Sequence, residues 1–214
     1  MEPYYYQTLS KAEQSSYQAM QAGLQAFAPS FPVPLLENRA LTDVFMKLRL
    51  DCPQLFYAGT FQYRYYPDSR NAELIPAYLF EKGKMKEHQK ALQSRVEKLV
   101  RPVARCSDEE KLLYIHDFIC KNVRYDKLKK QYSHEIIGVL GHGVGVCEGI
   151  AKAVKILCDA LQIQCIIALA ENNPEKGVKY RHAWNVVRLD KKYYHLDCTF
   201  DLSLGNPEEI RYDY

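Results

Sequence analysis

A cysteine carried by a run of glycines onto an apolar-faced helix is the feature that most narrows what this chain can be. Gly138, Gly141, Gly143 and Gly145 precede Cys147, and Ile150, Ala151, Val154, Leu157, Cys158 and Leu161 then recur at helical spacing. One face of that helix is therefore expected to be buried. The glycines read as a flexible lead-in whose backbone can come close to a substrate. A thiol at a helix start is chemically distinctive. Free N–H groups of the first turn and the positive end of the helix dipole favour the thiolate, which is the reactive form. The same N–H groups can hold an oxyanion. Taken alone, Cys147 also reads as one more buried structural thiol, as Cys158, Cys165 and Cys198 do on their apolar faces.

The sequence after this helix predicts an antiparallel sheet. Gln164 to Ala170 is a β-branched run, Glu171 to Gly177 a polar turn, and Arg181 to Leu189 alternates; Asp190 to Lys192 turns and Tyr193 to Thr199 runs back. A two-residue turn at Asp190-Lys191 sets His182 opposite Thr199, with Asp197 one diagonal step away on the same face. Diagonal neighbours lie roughly 7–8 Å apart at the backbone, within reach of an imidazole–carboxylate hydrogen bond. A three-residue turn would put the two on opposite faces. His195 shares the face of Asp197 and rivals His182 as a base, and His142 in the glycine segment is another candidate. A lone His on a strand or a lone Asp near a turn also has an ordinary structural reading.

The first half carries no comparable chemistry. Ser10 with Glu13 forms a capping box ahead of Tyr17, Met20, Leu24 and Phe27 at helical spacing. Pro29, Pro32 and Pro34 predict a loop, and Leu41, Val44, Phe45 and Leu48 a second amphipathic helix. Leu55–Tyr66 and Ala72–Phe80 read as strands, with Pro76 arguing for an edge. A helix over 85–100 follows, with Leu92, Val96 and Leu99 on one face. Ser107 with Glu110 forms a second capping box opening a helix through Leu112, Ile115 and Ile119, and a boundary is placed there. The expected organisation is an N-terminal α+β extension over 1–106 and a catalytic core over 107–214. The many tyrosines of the extension are expected to pack rather than bind.

Charge and cysteine usage set aside several classes. A net charge of +3 with interspersed signs argues against nucleic acid. Seven cysteines without a C-x-x-C pair argue against a zinc ribbon or a thioredoxin-like motif. No stretch approaches the ~20 apolar residues of a membrane span. The amino end shows no signal-peptide pattern, so a cytoplasmic setting without membrane association is the expectation.

Three segments carry a family resemblance. Gly143-Val144-Gly145-Val146-Cys147-Glu148-Gly149 resembles the G-x-G-V-C-x-G nucleophile motif of the transglutaminase-like superfamily. His182-Ala183-Trp184-Asn185 resembles its H-A-W-N strand, and Tyr194 to Asp201 its Y-x-x-D-x-T-W-D strand. They stand in the family's order over about residues 107–203, and Asn122-Val123-Arg124-Tyr125-Asp126 is similar to the segment before the nucleophile in bacterial members. Ile150 departs from the usual aromatic and Phe200 from the usual Trp; both keep a large apolar group, so altered packing is expected.

The resemblance implies an α+β papain/transglutaminase-like core with the nucleophile helix packed on an antiparallel β-sheet. It implies Cys147 as nucleophile, His182 as base and Asp197 as the residue orienting the base, with Gly145, Val146 and Trp184 at the substrate. Strict alternation puts Trp184 on the face of His182, walling the cleft; core packing is the alternative. The chemistry implied is acyl transfer through a thioester on peptide or side-chain amide bonds. A peptidase or amidase comes first, a transglutaminase or deamidase second, and a non-catalytic peptide-binding module third. A peptide or protein substrate is expected, and no cofactor or metal is proposed.

Overall fold

The computed structural model describes residues 3–170, 175, 181–206 and 208–213. The expected polar turn over 171–177 lies, apart from Glu175, outside the described residues. The chain divides into two units, Glu2–Gln89 and Lys90–Tyr214. The division falls earlier than the capping box at Ser107, inside helix α4 (Lys82–Val100), one unbroken helix across that point.

The first unit is built from α1 (Tyr4–Gln7), α2 (Lys11–Gln25), β1 (Phe31–Pro34), α3 (Asn38–Asp51), β2 (Ala58–Tyr65) and β3 (Asn71–Tyr78). The Ser10 capping box forms, with Ser10 N–H donating to Glu13 Oε2 at 2.8 Å. Tyr17, Met20, Leu24, Leu41, Val44, Phe45 and Leu48 are buried, as their spacing predicts. Two expectations are corrected. The proline segment forms strand β1, and Pro32 and Pro34 are tolerated because β1 is an edge. Pro76 sits in β3, the central strand of the order β1-β3-β2. Strand β1 reaches only to Phe31 opposite Leu74, so one flank of β3 is unpaired at Pro76. The tyrosines pack: buried Tyr17 donates its hydroxyl to Asp51 Oδ2 at 3.1 Å, and Asp51 also accepts the N–H groups of Tyr5 and Tyr6.

In the second unit the end of α4 is followed by α5 (Asp108–Asn122), opened by the Ser107–Glu110 capping box. Strand β4 (Arg124–Tyr125) pairs in parallel with β5 (Val144–Gly145). Between them run a 3-10 turn, Gln131–His134, and a π-helical turn, Ile137–Gly141. Helix α6 (Cys147–Ala160) follows and buries Ile150, Ala151, Val154, Leu157 and Cys158. It packs on the antiparallel sheet β6 (Cys165–Ala170), β7 (His182–Leu189) and β8 (Lys192–Leu196), ordered β6-β7-β8. The β7–β8 turn has Asp190 at φ 47° and Lys191 at φ 66°. Two left-handed central residues make the tight hairpin turn that matches strand twist. The register is the even one, with Leu189 opposite Lys192 and Asn185 opposite Leu196.

The returning strand is shorter than the alternation suggests. It stops at Leu196, and Cys198–Leu204 forms helix α7. Asp197 is the reason: its Oδ1 accepts the N–H groups of Thr199 at 3.1 Å and Phe200 at 3.2 Å, which makes it a helix N-cap. His182 therefore has no strand partner at Thr199.

Candidate active site

Cys147 is the first residue of α6 and is half-buried. Its position is set by backbone packed against backbone. A Cβ at Gly149 would stand 2.2 Å from the Ser133 carbonyl oxygen, and one at Gly145 would stand 2.6 Å from Val139 Cγ2. The Val146 N–H donates to the same Ser133 carbonyl at 3.0 Å. The glycines thus serve close packing within the protein rather than a flexible lead-in; Gly143, at φ +65°, is the one that needs a left-handed backbone. Gly145 and Val146, expected at the substrate, are both buried.

The loop carrying Ser133 is fastened twice. Asp126 accepts the N–H groups of Leu128 and Lys130 and the hydroxyl of Ser133. Lys152, fully buried one turn into α6, donates to Glu135 Oε1 at 2.9 Å and to the His134 carbonyl at 3.1 Å, and pairs with Glu148 Oε1 at 2.7 Å. The sequence reading missed this network, although Glu148 and Lys152 stand at the i, i+4 spacing of a helical ion pair.

The structure brings Cys147, His182 and Asp197 together. His182 Nε2 is 2.5 Å from Asp197 Oδ2, and the imidazole stands close enough to the Cys147 thiol for each to shift the other's proton affinity. With Nε2 taken by the carboxylate, Nδ1 is the nitrogen left for sulfur. The backbone N–H groups of Ala183 and Glu148 also stand near enough to favour charge on the sulfur. Asp197 has one oxygen on α7's first turn and the other on His182, so the helix cap fixes the carboxylate that aims the imidazole.

These contacts set the charges. Burial pushes the Cys147 thiol up, but the His182 hydrogen bond, the Ala183 N–H, the imidazolium charge and the Glu148 N–H outweigh it and leave the thiol below its ordinary value. Asp197 first, then the Cys147 thiol, hold the His182 proton, and its pKa rises from 6.5 to about 9. A thiolate–imidazolium pair is the favoured state between the two values. Other thiols move the opposite way: burial pushes Cys198 well above the usual range, and a bond from Cys165 together with burial does the same to Cys158.

Aromatic side chains frame the imidazole. Trp184 stacks on it at 5.7 Å with an interplanar angle of 13°, and Phe200 meets it edge-on at 5.2 Å. Trp184 thus lies on the face of His182, as strict alternation expects. Its indole N–H donates to His195 Nδ1 at 2.8 Å, which occupies that rival histidine. His142 stands against the Tyr132 ring at 5.1 Å. Asn185 is buried on the opposite face and donates to the Ala151 carbonyl at 2.9 Å, tying β7 to α6. The sequence reading also missed Tyr125, which β4–β5 pairing sets opposite Gly145 and whose hydroxyl stands beside Cys147. Among the described residues, no cluster of His, Cys, Asp and Glu side chains is set for a metal ion. No described helix is long and apolar enough to cross a membrane.

Residues 93–198, which include Cys147, His182 and Asp197, match the model of the transglutaminase-like superfamily. Two solved structures are similar, both at 14% identity. One is described as the crystal structure of a TGase, at a TM-score of 0.42, covering 66% of this chain and 44% of that one. The other is a Cytophaga hutchinsonii protein assigned provisionally as a cysteine protease, at a TM-score of 0.40, covering 65% of this chain and 61% of that one. This chain thus spans less than two thirds of either. No curated protein matches.

Proposed function

We propose that this chain, whose residues 93–198 match the model of the transglutaminase-like superfamily, is an acyl-transfer enzyme that cleaves peptide or side-chain amide bonds through a thioester on Cys147. The observation that carries the reading is the half-buried thiol beside an imidazole that Asp197 holds by a hydrogen bond.

In this reading the Cys147 thiolate, its proton already on His182, attacks the substrate's carbonyl carbon. The oxyanion is held at the Cys147 N–H, beside the Tyr125 hydroxyl, where α6's first-turn donors favour negative charge. The imidazolium gives its proton to the departing amine as the C–N bond breaks, leaving the acyl group on sulfur. His182, now neutral, takes a proton from water, the hydroxide equivalent adds to the thioester, and the acid leaves with the thiolate restored. Asp197 keeps the ring oriented throughout. Trp184 and Phe200 wall the side of the imidazole.

The test is incubation of the wild type and Cys147→Ala with a peptide library, with and without a fluorescent primary amine, read by mass spectrometry and ammonia release. Cleavage or ammonia release that disappears in the variant supports the hydrolase. Amine incorporation in its place would make the enzyme a transglutaminase. If no product forms and iodoacetamide labels Cys147 no faster than the other thiols, the proposal fails and a binding module stands.

A further inference from the structure

The residue that aims His182 is itself aimed by helix α7. Asp197 caps this helix, so its carboxylate goes where the first turn goes. Seven residues are too few to stay helical unaided, since isolated helices below about 12–15 residues are marginal. Something outside α7 must hold it.

One turn beyond Asp197, Asp201 is almost completely buried. Its Oδ2 lies 3.1 Å from Nε2 of buried His116 on α5, and its Oδ1 accepts the backbone N–H of Asp213 at 2.9 Å. His116 Nδ1 lies 3.3 Å from Asp117 Oδ1, and Cys120 Sγ is 3.6 Å from its Nε2. Asp117 in turn accepts the Tyr212 hydroxyl at 3.0 Å and Lys121 Nζ at 3.4 Å, while the Tyr212 ring packs 5.0 Å from the imidazole. The titratable groups facing His116 are therefore Asp117 and Cys120 from α5, Asp201 from α7, and Tyr212 from the C-terminal segment. A buried carboxylate depends on its partner, and breaking such a pair costs far more than an exposed one. The pair therefore fastens α7 to α5 in one orientation.

We propose that His116 and Asp201 form a positioning pair for Asp197, completed by Tyr212 and Asp213, so that the reactivity of Cys147 depends on the C-terminal segment. The inference rests on reading Cys147, His182 and Asp197 as one catalytic unit. If Asp197 shifts, His182 holds its proton less firmly, the thiolate loses its counter-ion, and a more alkaline pH is needed to form it.

The test is the pH dependence of iodoacetamide alkylation at Cys147, resolved by peptide mapping. Asp201→Asn and His116→Gln are expected to move the acid-side inflection up by about one pH unit, a roughly tenfold slower alkylation below it. Tyr212→Phe removes one hydroxyl from a largely exposed residue and is expected to fold as the wild type; it should slow alkylation about twofold. Variants that melt earlier but keep the wild-type inflection show a merely structural pair and overturn the proposal. If the two buried variants do not fold, an unchanged rate in Tyr212→Phe overturns it. A wild-type Cys147 no more reactive than the other thiols overturns the catalytic unit as well, whereas an activated wild type with unmoved variants overturns this inference alone.

Discussion

Two Cys–His–Asp groupings meet on helix α7, and they are chemical opposites. Asp197 faces His182 and Cys147; Asp201, one turn on, faces His116 and Cys120. The residue types are the same, yet the Cys147 thiol is lowered while Cys120 is pushed up to about 12. Burial is the first cause at Cys120, followed by the negative charges of Asp201 and Asp117. Burial is also the largest single effect on Cys147, but there it is overcome. The neighbours of each sulfur explain the difference. At Cys147 the His182 imidazole lowers the thiol most, followed by the Ala183 N–H, and the Glu148 N–H of α6's first turn adds least. Cys120, in the last turn of α5, instead faces the two carboxylates that flank His116. A list of residues does not make a nucleophile; the field at sulfur does.

The largest effect that tests this contrast is the paired removal of each thiol. Cys147→Ala should lower turnover by about 10³-fold or more, while Cys120→Ala should leave it within about twofold. Comparable losses in both would break the contrast. Next, Asp197→Asn should lower kcat by roughly a hundredfold, since the carboxylate no longer holds the imidazolium.

The same variant sharpens the pH profile. His182 is raised from 6.5 to about 9, so its proton is present below about pH 9 and lost above it. The wild-type activity should therefore fall on the alkaline side with a midpoint near 9, and Asp197→Asn should move that midpoint down. An unmoved midpoint would show that Asp197 does not set the charge. The smallest effect is expected from Tyr125→Phe, which removes the hydroxyl standing beside Cys147 and should raise kcat/KM about twofold. A large loss would instead mean that the hydroxyl donates to the oxyanion.

Much of this unit was legible because its cues are local. Ser107 with Glu110, the apolar face of α6, and the Asp190–Lys191 turn each fix structure from neighbours in sequence. The even register followed from that turn and brought His182 and Asp197 to one side. Other features were hidden because their causes lie far along the chain. Alternation carries no sign that Asp197 turns back to cap a helix. Asp201 reads as a motif residue until His116, remote in sequence, meets it. Lys152 occupies a buried position that polarity alone would place in solvent, and Glu135 and the His134 carbonyl from the preceding loop, with Glu148, account for it. In the first unit, Pro32 and Pro34 read as loop because sequence does not reveal which strand becomes an edge.

The contact between Gly149 and the Ser133 carbonyl has a mechanical consequence. It is a contact between main-chain atoms, so the first turn of α6 cannot move closer to that loop without a collision no rotamer can relieve. Sulfur is therefore the datum of this site, the point from which other distances are measured. Substitutions around it can alter shape, charge and access while the reacting atom stays where it is, and a scaffold of this kind can acquire new substrates without relearning where its nucleophile belongs.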